Sequence, residues 1–496
     1  MLAQAKKSEM KRTLGPWGLT SLGIGAIIGT GIFVLTGTAA ANHAGPALIL
    51  SFILAAVGCA FAGLCYAEFA SMIPVAGSAY TYAYATMGRT IAWIIGWDLI
   101  LEYLLGAATV AAGWSGYFTT FLHNIGLHLP RFLTEPSFTP LVKLPTEGWV
   151  ILTEKVQKTY PDWAALPQDA AWFNLPAMLA ILATTVLLVI GIKESARFNN
   201  LAVILKVSVV LAFIAFGWAY IQADNWVPFI PENTGVFGEF GWSGILAAGG
   251  VIFFAYIGFD AVSTVAQETI NPQRNLPIGI LASLVVCTVL YILVTLVLTG
   301  IVPFTELNVK EPIALGVERA GGLNWLAPFI NIGAIAGLSS VMLVMLMAQP
   351  RIFYSMSKDG LLPPSFSKIH PRFKTPYIPT VLTGVFCAAA AGIFNVNDLG
   401  HMVSIGTLFA FIVVCVGIII LRKTHPEFPR PFRTPLVPLV PILGAVVCLG
   451  LMIGLGAVTW LRLVLWMGLG LAIYYLYGRK RQPLPIAPDE PEIPLH

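Results

Sequence analysis

Gly23-Ile24-Gly25-Ala26-Ile27-Ile28-Gly29-Thr30-Gly31-Ile32-Phe33 is the stretch on which the fold turns. It lies inside a long apolar run, 17–40, yet four of its first nine residues are glycine. Each costs a helix about 1 kcal/mol relative to alanine. Gly25 and Gly29 alone would read as a small-xxx-small face for helix packing. The added Thr30-Gly31 pair suits an unwound turn better. A helix that comes apart in an oily layer frees N–H groups at the new helix start, which attract anions. It also frees carbonyl oxygens, which attract cations. One such break can hold both ends of a zwitterion without a charged side chain.

The oily layer follows from composition. Of 496 residues, 57% are apolar and 10% charged, against about 25% charged in a soluble domain. Lipid is the solvent such a chain requires. A net charge of +4 is too small to suggest nucleic-acid binding. The six cysteines all fall in apolar stretches without metal-ligand spacing and read as small buried side chains; no metal or cofactor is expected. A bilayer core needs about 20 helical residues per crossing. That ruler predicts an all-α membrane protein with twelve spans, near 17–40, 46–72, 90–122, 173–190, 201–221, 244–266, 278–302, 326–354, 379–394, 402–421, 437–456 and 460–477. Twelve spans put the clusters Lys6–Arg12, Arg351–Lys374, Arg422–Arg433 and Arg479–Arg481 on one side, the cytoplasmic one by the positive-inside rule. Eleven would place the last cluster outside. Lys6 and Lys7 precede no convincing cleavage site, so the first span reads as retained. Both termini are then cytoplasmic, the segment 123–172 is the one long outer loop, and the tail from Gln482 is Pro-rich and acidic.

The sixth span supplies a second break. Gly249-Gly250 is followed by Val251 to Ile257 and then Gly258-Phe259-Asp260. Matched Gly-interrupted spans in two halves of a chain are the best sequence pointer to a binding site at the bilayer midplane. Ionisable residues inside spans are functional candidates because mid-bilayer charge is costly. Lys206 stands about 8 Å into the fifth span, and Glu102 near the middle of the third. Glu68, Asp260, Glu268, Arg89, Arg274 and Arg351 lie near cytoplasmic span ends, as a gate of ion pairs or as solvated caps. The histidines show no ligand spacing.

Four stretches carry a resemblance: Gly23–Phe33; Tyr66–Gly88, with Y-A-E-F-A-S-M-I-P-V-A-G-S-A-Y; Gly258–Pro277, with Q-E-T-I-N-P-Q-R-N-L-P; and Pro350–Pro363, P-R-I-F-Y-S-M-S-K-D-G-L-L-P. Together, in this order, the chain resembles the amino acid–polyamine–organocation superfamily, and within it the cationic amino acid transporter branch. The resemblance implies a five-plus-five inverted repeat of the leucine-transporter type with two extra C-terminal helices. The segments are then 1–14, a cytoplasmic start; 15–225, the first repeat; 226–422, the second; 423–478, the last two spans; and 479–496, a cytoplasmic tail. It implies that the N–H groups of Thr30, Gly31 and Ile32 take a substrate carboxylate, and that carbonyls of Ile27, Phe254, Ala255 and Ile257 take its ammonium, with Phe254 as an aromatic cover. It also implies that Lys206 replaces the sodium ion of relatives, bridging the first span to Ser339 and Ser340 on the eighth, and that Glu102 is its acidic partner.

The expected function is secondary transport of amino acids across the cell membrane, by proton-coupled symport. Met345 stands where cationic carriers of this branch tend to have a small polar residue. A bulky apolar side chain there points to small neutral L-amino acids such as alanine. An exchanger or a cationic amino acid carrier would share every motif above. A polytopic membrane enzyme would need converging His, Asp or Glu pairs, and none is spaced for it. An accessory subunit has no signature in the sequence.

Overall fold

The computed structural model describes residues 14–481 apart from 73–77, 146–147, 192–194, 261 and 263–268; Lys6, Lys7, Lys11, Arg12, Lys193, Glu268 and the acidic tail lie outside the described residues. Apolar runs punctuated by glycine, proline and asparagine set the helix ends. The main helices are α1 (Pro16–Ile27), α2 (Leu48–Met72), α3 (Arg89–Asn124), α4 (Leu175–Ile190), α5 (Ser195–Gly217), α6 (Gly241–Ile252), α7 (Pro272–Ile301), α8 (Ala327–Lys358), α9 (Tyr377–Ile393), α10 (Val396–Thr424), α11 (Leu439–Gly454) and α12 (Gly456–Leu476). Among the described residues, seven helical segments are long and apolar enough to cross a bilayer, and α4, α9, α11 and the segment Gly241–Tyr256 are shorter apolar helices.

Capping explains where expected and observed ends differ. Asn395 accepts the Asp398 N–H at 2.8 Å and starts α10 at Val396 rather than at 402. Its polar first turn, with Asn397, Asp398 and His401, is invisible to a hydropathy scan. Asn174 caps α4 in the same way, accepting from Ala177 N–H at 3.2 Å and from the Ser115 hydroxyl at 2.7 Å.

The expectation of an all-α chain needs one correction. The connection between α3 and α4 folds three short strands, β1 (Pro140–Leu144), β2 (Gly148–Ile151) and β3 (Gln168–Ala170), into an antiparallel sheet of order β2-β1-β3. Leu141 pairs with Ile151 and Val142 with Val150, and Leu141, Val142 and Leu144 are buried. Glu135 of this loop is buried and forms an ion pair of 2.6 Å with Lys310 of the α7–α8 connection.

The interior is aromatic. Phe52, Tyr256 and Tyr291 form one contact group, and Tyr66, Phe253, Phe259 and Phe411 another, mostly edge to face. Outward, α4, α7, α9, α11 and α12 present Leu182, Val186, Val285, Val289, Val385, Phe386, Val446, Leu461 and Val464 to the surroundings. So large an apolar exterior is a lipid face. α12 is mostly exposed but docks on α3 through indoles. Trp93 and Trp97 donate to the Gly470 and Trp466 carbonyls at 2.8 and 2.9 Å, and the Trp97 and Trp466 rings stack at 4.7 Å between centroids.

Glu68 on α2 is fully buried and organises the α10–α11 linker. It accepts two bonds from Arg422, at 3.0 and 2.7 Å, one from the Thr434 N–H at 2.7 Å, and lies 3.4 Å from the Arg430 guanidinium. Removing one partner of a buried ion pair costs about 3–5 kcal/mol, because the other charge is stranded. Glu68→Gln is therefore expected to lower the melting temperature of the purified protein well below that of Glu427→Gln, an exposed control. Equal melting curves would show the cluster to be solvated.

Candidate functional site

α1 ends at Ile27, and Ile28 turns to extended backbone, φ −70° and ψ 103°. The chain re-enters helix at Thr30, and 31–35 is a π-helical turn. The next backbone bond past the break runs from Phe33 N–H to the Gly29 carbonyl, 3.2 Å. The N–H groups of Thr30, Gly31 and Ile32 thus stand in a first helical turn, whose donors lack partners along the chain. All three residues are buried, and the Thr30 hydroxyl has no partner.

α6 breaks to match. After Ile252 the chain tightens to a 3₁₀ turn over Phe253–Tyr256, extends at Ile257, and reverses at Gly258 with φ +118°. Only glycine is comfortable there, and a Cβ would also sit 2.8 Å from the Ala26 carbonyl oxygen. The two breaks touch. A Cβ on Gly31 would lie 2.2 Å from Cα of Ala255.

The other glycines of the quoted stretch bring neighbours close. Gly23 lies against Ser283 of α7, and Gly25 against Val203 of α5, where a Cβ would meet side-chain atoms at 2.5 Å in each case. The close approach to α5 brings in Lys206. This lysine is fully buried, and its ammonium donates to the Gly25 and Ile28 carbonyls, the latter at 2.8 Å. These are oxygens that the unwinding of α1 leaves without N–H partners. Its stem packs on Gly337 of α8, where a Cβ would come within 3.0 Å.

Three expected contacts of Lys206, those to Ser339, Ser340 and Glu102, are absent here. Ser339 donates to the Ile335 carbonyl and accepts from Trp114, and Ser340 donates to the Gly337 carbonyl. Both hydroxyls close back on their own helix, so the bridge from Lys206 to α8 is made by packing instead. Glu102 forms no ion pair with Lys206. It sits in a π-helical turn of α3, Leu101–Leu105, buried, with the Thr407 side chain of α10 beside it but not in ordinary hydrogen-bond geometry. Its ionisable neighbours are Asp98 and Asp260. π-turns of this kind concentrate at functional sites.

Three of the four carbonyls assigned to an ammonium are already in use. The Tyr291 hydroxyl of α7 donates its one proton between the Ile27 carbonyl, 3.0 Å, and the Ala255 carbonyl, 2.8 Å. It ties the two breaks together. The Phe254 carbonyl accepts the Ile257 N–H at 3.2 Å. Phe254 and Ile257 are buried, and Met345 sets its sulfur against Gly106, one turn beyond Glu102. Tyr291 was not singled out from the sequence, though a tyrosine amid the apolar run 278–302 was a signal. Asp98 was missed in the same way. It is a second buried carboxyl in the third span, with an oxygen that has no partner.

Among the described residues, the span-end charges Glu68, Arg89 and Asp260 have different partners. Glu68 holds Arg422 and Arg430. Arg89 donates to the Asp359 and Gly478 carbonyls, Asp260 accepts from Tyr103 at 2.9 Å, and Arg274 and Arg351 are exposed.

Broken helices facing each other across buried backbone groups offer donors and acceptors to a small polar solute, and comparison with known proteins gives the family. The profile of the amino acid permease family matches residues 14–473. The chain is 47% identical over 478 residues to the methylthioribose transporter of Bacillus subtilis (strain 168), covering 96% of each chain. It is 47% identical over 483 residues to the branched-chain amino acid permease BcaP of the same organism, covering 97% of this chain and 96% of that one. The vacuolar cationic amino acid transporter 4 of Arabidopsis thaliana is 38% identical over 84% of this chain and 64% of its own. From the breaks at Ile28 and Ile257 and from a match spanning nearly its whole length, the chain belongs to the amino acid permease family, within the amino acid–polyamine–organocation superfamily.

Proposed function

We propose that this protein is a proton-coupled symporter of small neutral L-amino acids such as alanine, crossing the cell membrane twelve times with both termini cytoplasmic. The helices through α10 would form two inverted halves, with α11 and α12 added. One observation carries the coupling: the Lys206 ammonium is held by the α1 break itself, on the Gly25 and Ile28 carbonyls. A side-chain cation there takes the place of a metal ion. Desolvating an ammonium costs several kcal/mol, and two charge-assisted bonds return about 1.5–3 kcal/mol each. The near balance suits a group that gives up a proton in each cycle.

The substrate carboxylate would meet the N–H groups of Thr30, Gly31 and Ile32. Its ammonium would displace the Tyr291 hydroxyl from the Ile27 and Ala255 carbonyls, with Phe254 and Ile257 closing the site. Met345, which lies against Gly106, would shorten the pocket toward α3 and would offer no polar partner to a cationic tail. Ser339 and Ser340 would join the coupling site only if α8 shifts and their own-helix bonds open. A second reading, a larger uncharged substrate, is favoured by the relatives named for branched-chain amino acids and methylthioribose.

Uptake of labelled alanine into proteoliposomes is expected to follow an imposed pH gradient, inside alkaline, and to ignore sodium. A strict sodium requirement would overturn the symport reading. Competition by alanine, leucine, methylthioribose and arginine ranks the substrates. Arginine should compete at least about ten-fold more weakly than alanine. Stronger competition by leucine would move the assignment to the second reading, and stronger competition by arginine would defeat the Met345 argument.

A further inference from the structure

We propose that Asp98 is a second proton-carrying carboxyl, in series with Glu102 and nearer the cytoplasmic end of α3, through which the coupled proton leaves. The inference rests on the proton-coupled reading above and extends its route.

Asp98 is 1% exposed and Glu102 2%, and one oxygen of each is buried without a hydrogen-bond donor. Among the described residues neither has a cationic partner. An ionised carboxyl in an apolar interior without donors is heavily penalised, and carboxyls that share a site resist ionising together. The pair is stable in this setting when protons occupy it.

The neighbours agree on every side. α3 itself contributes Glu102 and Tyr103, whose hydroxyl donates to Asp260 at 2.9 Å. α2 adds the buried phenol of Tyr66, and the helix Ser78–Thr86 adds Tyr80 and Tyr82. Tyr80 is turned away to Asp359, 2.6 Å. α12 offers indoles and Tyr474, bonded to Thr90. α10 brings Gly406, where a Cβ would stand 3.1 Å from a carboxylate oxygen of Asp98, and next to it Thr407 beside Glu102. The Thr407 hydroxyl is buried and has no partner. α8 brings Gln349, fully buried with both amide atoms unpartnered, between Met345 at Gly106 and Met356 at Gly96. Buried polar groups are normally satisfied. An unsatisfied hydroxyl beside Glu102, with Gln349 on the helix that packs along α3, marks a place where a proton and its transient partners come and go.

Position gives the direction. Counting along α3 from Arg89, Asp98 lies about 14 Å in and Glu102 about 20 Å. The steps are proton transfers: the Asp98 O–H bond breaks as its proton passes to cytoplasmic water, then the Glu102 O–H bond breaks as one forms at the Asp98 carboxylate, and Glu102 is refilled by the proton that enters with the next substrate. No electrons move.

The test uses the full chain in proteoliposomes with labelled alanine and labelled leucine as probes and an entrapped pH dye. For Asp98→Asn, counterflow exchange should stay within about two-fold of the unmodified protein while pH-driven accumulation and dye response fall about ten-fold or more. Asp98→Glu should restore part of both. Driven uptake that persists in Asp98→Asn but is lost in Glu102→Gln would overturn the inference and leave symport intact. Infrared difference spectra separate the two failures. A protonated-carboxyl band present in the unmodified protein and missing in Asp98→Asn shows that Asp98 holds a proton, and supports the inference where uptake follows pH; uptake that ignores pH defeats the symport reading, and absence of the band overturns the inference alone. Should Asp98→Asn not fold, Gly406→Ala crowds the same carboxylate; driven uptake should slow several-fold, and an unchanged rate would count against the role.

Discussion

Gly31→Ala is expected to abolish transport while the protein still reaches the membrane. The added methyl would fall 2.2 Å from the Ala255 backbone, inside any permitted contact distance, and its neighbour is main chain that cannot rotate away. The two breaks would have to part by an ångström or more. Overpacking of this kind costs about 1–3 kcal/mol or more, and a misplacement of about 1 Å at a reacting or binding centre costs about a hundred-fold in rate. Uptake should therefore fall by about two orders of magnitude. Gly450→Ala and Gly468→Ala are the controls, since nothing lies within 4 Å of a Cβ at either position. Unimpaired uptake by Gly31→Ala would show that the breaks do not meet during the cycle.

Lys206→Ala is expected to be the most severe of the side-chain truncations. It removes the donor from the Gly25 and Ile28 carbonyls and strips the stem that packs on Gly337. Two unsatisfied buried carbonyls cost about 1–3 kcal/mol each, so the melting temperature should drop as well. Accumulation driven by a pH gradient should fall about ten-fold or more. Unchanged pH-driven uptake would make the lysine a bystander. A loss of stability with coupling retained would make it a structural clasp for the break.

The residues that could be read in advance share one property: each violates the rules for a plain membrane helix. Gly23 to Gly31 did so by composition, and Lys206 and Glu102 did so by charge. The packing and unwinding readings of that glycine run both hold, at different residues. Gly23 and Gly25 admit α7 and α5, while Ile28 and Gly29 form the break and Gly31 meets Ala255. What stayed hidden depends on the partner rather than on the residue. Whether Lys206 reaches α1 carbonyls or α8 hydroxyls is set by how far α1 unwinds, which spacing along a chain does not encode. The Tyr291 bridge needs three segments in register. The small sheet between α3 and α4 needs pairing between strands of three to five residues, too short for alternation to stand out.

The stacked indoles of Trp97 and Trp466 have a use beyond docking. Two parallel chromophores at that separation couple excitonically, so the protein carries its own optical ruler between α12 and the helix that bears Glu102. The indole exciton band in far-ultraviolet circular dichroism, taken as the difference between the unmodified protein and Trp466→Phe, would register whether these two segments travel together or shear apart when substrate is added, without any label.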